Sequence, residues 1–336
     1  MTAVTATPRR RPKDRKDQIV QTARPLIAAR GYNNVSMADI ADSVGITAGA
    51  LYRHFANKSV LLGAVVEKGL DEWTAPAAQP DATLQDVVNA ACELVVGNRD
   101  IAALWWRESR NLEPDTFDRL RGRVVANTSA YRRLIRAQRP ELSKADAQRL
   151  AWGVQAVLAS PSFHSSELPR AQFVGLLSAA CVAVCAVDAG TTPPVPRIVS
   201  RLDPVSKRER LLTHAVTLFD RNGFEATSLS DIGAAVGVTG PSLYSYFDSK
   251  ADILDIAMDR GNSALWLLLN RVLRDNAEPA AALRDLIRGY TQLSLEETVP
   301  TSVMLTKQQN FGDEVRARQR EHFVEWVALC GPHVRS

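Results

Sequence analysis

Apolar residues recur along most of this chain at helical intervals, and one pattern stands out between residues 19 and 58. Met37, Ile40, Ala41 and Val44 fall at i, i+3, i+4 and i+7, the stripe of a helix with one buried face. Ser36 precedes the stripe as an N-cap, and Asp39, three residues on, takes the acidic place of a capping box. Gly45 ends the helix, because glycine tolerates the left-handed conformation there. Ile46 then enters the core, and Thr47 caps a short second helix that buries Leu51 and Phe55. Upstream, Ile19, Ala23, Leu26 and Ile27 supply a third wall. The pattern predicts a helix-turn-helix packed on a preceding helix, with one face of its last helix left free for a major groove.

The same pattern returns further along. Residues 31–58 read GYNNVSMADIADSVGITAGALYRHFANK, and residues 223–250 read GFEATSLSDIGAAVGVTGPSLYSYFDSK. Gly31 and Gly223 stand 192 residues apart, as do Lys58 and Lys250, so the two align without a gap. Ser36/Ser228, Asp39/Asp231, Ile40/Ile232, Val44/Val236, Gly45/Gly237, Thr47/Thr239, Leu51/Leu243, Tyr52/Tyr244 and Phe55/Phe247 are identical pairs. A gapless match of this length is a duplication. In the second copy Leu211, Ala215, Leu218 and Phe219 form the preceding helix.

A helix ending in Gly-aromatic, then D-I, G-[IV]-T, L-Y-x-[HY]-F and x-x-K, closely resembles the N-terminal domain of TetR-type repressors. The resemblance covers about 45 residues in each copy. A plain three-helix packing unit would explain the apolar positions but not Tyr52, His54 and Lys58. The resemblance implies that Thr47, Tyr52, His54 and Lys58 hold phosphates in the first copy, and Thr239, Tyr244, Tyr246 and Lys250 in the second. Ser36 and Ser228, at helix starts, are candidates for the same contact as well as caps. Many relatives carry Lys or Arg at the second position of the recognition helix, where this chain has Ala48 and Gly240. Gly49 permits close backbone approach, whereas Pro241 at its counterpart is rigid and lacks an N–H. Base recognition is therefore expected to rest on apolar contacts with thymine methyls, on Arg53, and on DNA shape. Arg53/Ser245 and His54/Tyr246 differ between the copies, so the double-stranded operator is expected to have two unlike half-sites.

With 336 residues, 46% of them hydrophobic, and few strand signals, the chain is expected to be all-α with several domains. Net charge is only +4, but Arg9, Arg10, Arg11, Lys13, Arg15 and Lys16 crowd one short stretch. Residues 1–14 are expected to be a flexible basic arm that follows the phosphate backbone or enters the minor groove; a solubilising tail is the alternative. Residues 15–60 form the first helix-turn-helix domain, and 61–189 a helical ligand-binding and dimerisation domain, its last two helices near Lys144–Ala159 and Arg170–Val187. The prolines of residues 190–204 mark a semi-rigid linker. The second helix-turn-helix domain occupies 205–252, and an incomplete second ligand domain 253–336. The incompleteness is a matter of length: 130 residues separate Lys58 from Asp188, but only 86 separate Lys250 from Ser336.

Cys92, Cys181, Cys185 and Cys330 form no C-x-x-C pair and have no histidine at zinc-ligand spacing, so no metal is expected. They suit a reduced, cytoplasmic protein. No signal peptide and no membrane span is expected. G-x-S-x-G, a glycine-rich phosphate loop and paired metal ligands are all missing, so no catalytic residue or cofactor is assigned. Trp105, Trp106, Arg110, Trp152, Phe163 and His164 are candidates for lining an effector pocket, with simple core filling as the alternative. The resemblance, especially to double-headed members of the family, implies a repressor released by a small apolar effector such as a lipid, sterol or acyl-CoA. It leaves monomer and homodimer open. The competing expectation is a ligand-sensing or partner-binding protein whose DNA heads are impaired.

Overall fold

The computed structural model describes residues 12–164, 167–188 and 204–296, together with 314, 315, 317, 318, 320, 321 and 324. Helices joined by turns make up the described residues, and no strand occurs among them. Arg9, Arg10, Arg11, Cys330 and nearly all of the proline-rich stretch lie outside them. The chain divides into two units, residues 1–194 and 195–336.

In the first unit, α1 (Pro12–Arg30), α2 (Met37–Val44) and α3 (Ala48–Tyr52) form a three-helix head. The α1 helix starts earlier than expected: Lys13, Arg15 and Lys16 belong to its first turns rather than to an arm. Ile19, Ala23, Ile27, Ile40, Leu51 and Phe55 meet in the middle of the head.

Asn57 caps α4 (Lys58–Thr74), which leaves the head. After it come α5 (Leu84–Gly97), α6 (Asp100–Ala103), α7 (Pro114–Gln138), α8 (Lys144–Ala159) and α9 (Arg170–Ala186). Between α6 and α7 the chain widens into a π-helical turn, Leu104–Glu108. Two cores result. The head's core runs on into Leu104, Leu112 and Leu120 of the following domain. A second core joins α5, α7, α8 and α9 through Val88, Cys92, Tyr131, Ile135, Val154 and Cys181.

The second unit repeats the head with α10 (Lys207–Asn222), α11 (Leu229–Val236) and α12 (Gly240–Leu243). The long α13 (Lys250–Asp275) follows and packs on α14 (Pro279–Glu296) around Leu269, Val272, Ala282 and Leu286. No helix among the described residues is long and apolar enough to cross a membrane.

Candidate nucleic-acid interface

Local chemistry fixes both turns in the same way. The Ser36 hydroxyl accepts from the Asp39 N–H at 3.0 Å, and the Asp39 carboxylate accepts from the Ser36 N–H at 2.7 Å. Ser228 and Asp231 repeat this reciprocal cap at 3.1 and 2.8 Å. These bonds hold both carboxylates below the usual aspartate range. Each serine hydroxyl also donates to its own aspartate, at 2.7 and 2.6 Å. The capping box therefore uses the proton that a phosphate contact would need.

Gly45 and Gly237 lie in the left-handed region at φ 72° and 70°. Across each turn a backbone bond of 2.9 Å closes the corner, Ile46 N–H to Ala41 carbonyl and Val238 N–H to Gly233 carbonyl. Thr47 caps α3 by accepting from the Ala50 N–H at 3.2 Å. Its counterpart Thr239 instead pairs its hydroxyl with that of Ser242 at 2.7 Å and leaves α12 without a side-chain cap.

The burial pattern separates packing from presentation. Leu51 and Leu243 are fully buried, while Tyr52 and Tyr244 beside them are 51% and 60% exposed. Thr47, Ala48, Gly49 and Arg53 are exposed in the first head, as are Ser36 and, in the second head, Ser228 and Thr239. His54 and Tyr246 are half-buried, and Tyr246 packs against its head's core. Gly240 and Pro241 occupy the start of α12. One side of each head thus presents hydroxyls, a phenol and small residues that the core does not require.

Lys58 and Lys250 differ from these, since both have partners inside their heads. The Lys58 ammonium sits 4.1 Å from the centre of the Tyr32 ring, and Lys250 sits 4.4 Å from that of Phe224. Lys250 also donates to the Phe224 carbonyl at 2.6 Å. Burial pulls the Lys58 pKa down, against the nearby Glu108 and Asp39 carboxylates. A second matched pair escaped the sequence reasoning: Lys16 lies over Phe55 at 5.7 Å and Arg208 over Phe247 at 4.8 Å. Lys16 and Arg208 stand 192 residues apart, so extending the repeat upstream would have found them.

The pocket candidates are distributed differently from the heads. Trp105 is partly buried against the first head's core and stacks on Phe117, ring centres 5.7 Å apart. Trp106 and Trp152 are 52% and 40% exposed, on the outside of the unit. Consecutive helical residues point about 100° apart, which separates the two adjacent tryptophans. His164 lies near the Phe173 ring at 5.9 Å, beside half-buried Phe163. The Arg110 guanidinium donates to the Arg107 carbonyl at 3.3 Å.

A trihelical head with a reciprocally capped second helix, a left-handed glycine corner and a short last helix, present twice, defines a protein with two helix-turn-helix heads. Comparison with known proteins finds a match within each head. The description "Bacterial regulatory proteins, tetR family" matches residues 19–65 and 211–256. Each head thus contains a stretch similar to this family's domain, and the two stretches together make up well under half of the chain. Among curated relatives, the HTH-type transcriptional repressor KstR2 of Mycolicibacterium smegmatis is 40% identical over 60 residues, 18% of this chain and 29% of that protein. KstR2 of Rhodococcus jostii is 29% identical over 105 residues, 29% of this chain and 52% of its own. The regulator RutR of Escherichia coli is 34% identical over 89 residues, 26% of this chain and 42% of RutR. The chain thus spans about half the length or less of these relatives. A tetR-family regulatory protein from Rhodococcus RHA1, solved by crystallography, is 24% identical with a TM-score of 0.45, covering 51% of this chain and 96% of that one.

Proposed function

We propose that the protein is a sequence-specific transcriptional regulator that grips double-stranded operator DNA with two different heads and acts in the cytoplasm. The observation that carries this is the pairing of invariant buried positions with exposed polar ones at the same spacing in both heads. Tyr52 and Tyr244, Thr47 and Thr239, and the backbone of Gly49 face outward where phosphates would lie. Neutral hydroxyls and backbone N–H groups bind phosphate without bringing a charge of their own. Arg53, exposed at the end of α3, is the base-reading cation of the first head; Ser245 stands in its place in the second. Lys58 and Lys250, held over rings, set the geometry of each head.

Repression is the expected sign, as the relatives named repressors suggest. The tandem arrangement resembles the double-headed repressor of the third mammalian-cell-entry operon in mycobacteria, which would make the effector a lipid, a sterol or an acyl-CoA. Two copies are expected to pair through α8 and α9, where Trp152, Leu176 and Val182 leave apolar surface exposed.

Selection from random duplex DNA, followed by anisotropy titration of the winners over a range of salt, tests this reading. A specific regulator should return a fragment bound far more tightly than scrambled DNA, with affinity falling steeply as salt rises because phosphate contacts release counterions. Equal and weak binding to both would leave the ligand-sensing alternative instead.

A further inference from the structure

Two buried amides meet inside the first unit. Asn127 of α7 and Gln155 of α8 are each only 5% exposed. The Trp73 indole N–H of α4 donates to Gln155 Oε1 at 2.8 Å, and Asn127 Nδ2 donates to the same oxygen at 3.3 Å. These bonds fix which end of each amide is which. An indole N–H needs an oxygen before it, and that oxygen needs the Asn127 nitrogen on its other side. Two facing amides can close with a pair of N–H···O bonds, but here only one forms. Asn127 Oδ1 and Gln155 Nε2 are buried and have no hydrogen-bond partner. The pair therefore keeps one acceptor and one donor open on neighbouring amides.

The surroundings are neutral. Thr128 is fully buried and uses its hydroxyl on the Val124 carbonyl at 3.0 Å. Tyr131 lies beside Gln155 without a hydrogen bond to its Nε2. Burial, with the Cys181 and Cys92 thiols nearby, pushes the Tyr131 pKa up, so the phenol stays uncharged. Glu108 is the one charged residue among the described buried ones, and its partners are Arg107, Tyr32 and Asn111. Unmade bonds on buried amides cost stability, whereas apolar side chains of the same shape would not. An arrangement that is unfavourable in the free chain, and neutral all round, fits a guest that supplies the missing partners.

We propose that Asn127 and Gln155 form an effector-reading point in the first unit, which takes an apolar molecule carrying one neutral group that both donates and accepts, a hydroxyl or a primary amide. This rests on the reading of the chain as an effector-controlled regulator and narrows the effector's chemistry. A hydroxyl accepts from Gln155 Nε2 and donates to Asn127 Oδ1, completing both amides. An ether oxygen accepts but leaves Asn127 Oδ1 unmet, and the thioester of an acyl-CoA likewise only accepts. A carboxylate only accepts too, and it brings a charge into a place where no cation is buried among the described residues.

Calorimetric titration of the full chain with decanol, decyl methyl ether and decanoate, three probes with the same tail, tests the site without DNA. Decanol should bind at least about tenfold more tightly than the other two, because each of those leaves a buried polar atom unpaired. Equal affinities, tighter binding of decanoate, or no binding of decanol overturns the proposal. Asn127→Leu removes the open acceptor and keeps the bond between Trp73 and Gln155. It should bring decanol and the ether to within about twofold of each other, since a hydroxyl then has nothing to donate to. A preference for decanol that survives the substitution overturns the proposal. Should the variant melt before it can be titrated, the wild-type series decides alone. Selection of DNA is read separately. A chain that prefers decanol but selects no DNA keeps the site and loses the regulator reading; a chain that selects DNA without preferring decanol keeps the regulator reading and loses the site.

Discussion

Single residues decide whether each head keeps its shape. Ser36→Ala or Ser228→Ala removes a cap that satisfies a helix N-terminal N–H, and each should cost its own head about 1 kcal/mol in chemical denaturation. The paired aspartates add a pH dependence. Asp39 and Asp231 have pKa values lowered by the serine bonds, so the cap contributes fully above the ordinary aspartate range and is lost as pH falls through the lowered folded-state values. An acid titration followed by circular dichroism should therefore show Asp39→Asn and Asp231→Asn variants losing less helix between about pH 4 and pH 2 than wild type. A variant titrating like wild type would remove the caps from the account of acid unfolding. These features were legible because they are local: Ser-x-x-Asp and the terminal glycine act within four residues. The cations over Phe55, Phe247, Tyr32 and Phe224 were not, because a hydrophobic stripe carries no information about which cation crosses it from another helix.

Between elements, the two heads are copies with different tolerances. Gly233 stands where the first head has Ala41, and a Cβ added to Gly233 would lie 2.4 Å from the Val238 carbonyl oxygen. Ala41 carries that Cβ in the first head, buried beneath the same corner. Gly233→Ala should therefore push the turn of the second head apart and cost about 1–3 kcal/mol, the range for overpacking a tight site. Ala41→Gly should cost about 1 kcal/mol, as expected from helix propensity. Thermal melts of the two variants, with exchange to assign each loss to its head, would check the contrast; a stabilised Gly233→Ala chain would show that the corner has room. Helices, caps and the order of elements followed from periodicity in the sequence. The close approach at Gly233 did not, because it depends on how near one turn passes another. The same holds for the π-turn at Leu104–Glu108, where the tryptophan pair suggested a pocket. Trp105 is partly buried against the head's core, and Trp106 is exposed.

Across the whole molecule, duplication makes two heads, and divergence between them gives the operator its expected form. The heads differ at Arg53/Ser245, His54/Tyr246, Ala48/Gly240 and Gly49/Pro241, four positions in or just after the last helix of each head. Arg53 can reach a guanine edge with two hydrogen bonds, a contact worth about 1–3 kcal/mol of discrimination, and Ser245 cannot supply it. Binding sites recovered from random DNA should accordingly combine two unlike halves, and Arg53→Ala should relax sequence preference in one half only. A perfect palindrome among the recovered sites would mean that the differing residues do not read bases. Assembly adds an independent check on how many heads act together. If α8 and α9 pair two copies, sedimentation should show a dimer that Trp152→Glu converts to a monomer, because a buried unpaired charge costs more than the contact returns. That monomer would still carry two heads, so its DNA affinity should fall without its half-site preferences changing. A wild-type monomer by sedimentation would instead assign both halves of the operator to a single chain.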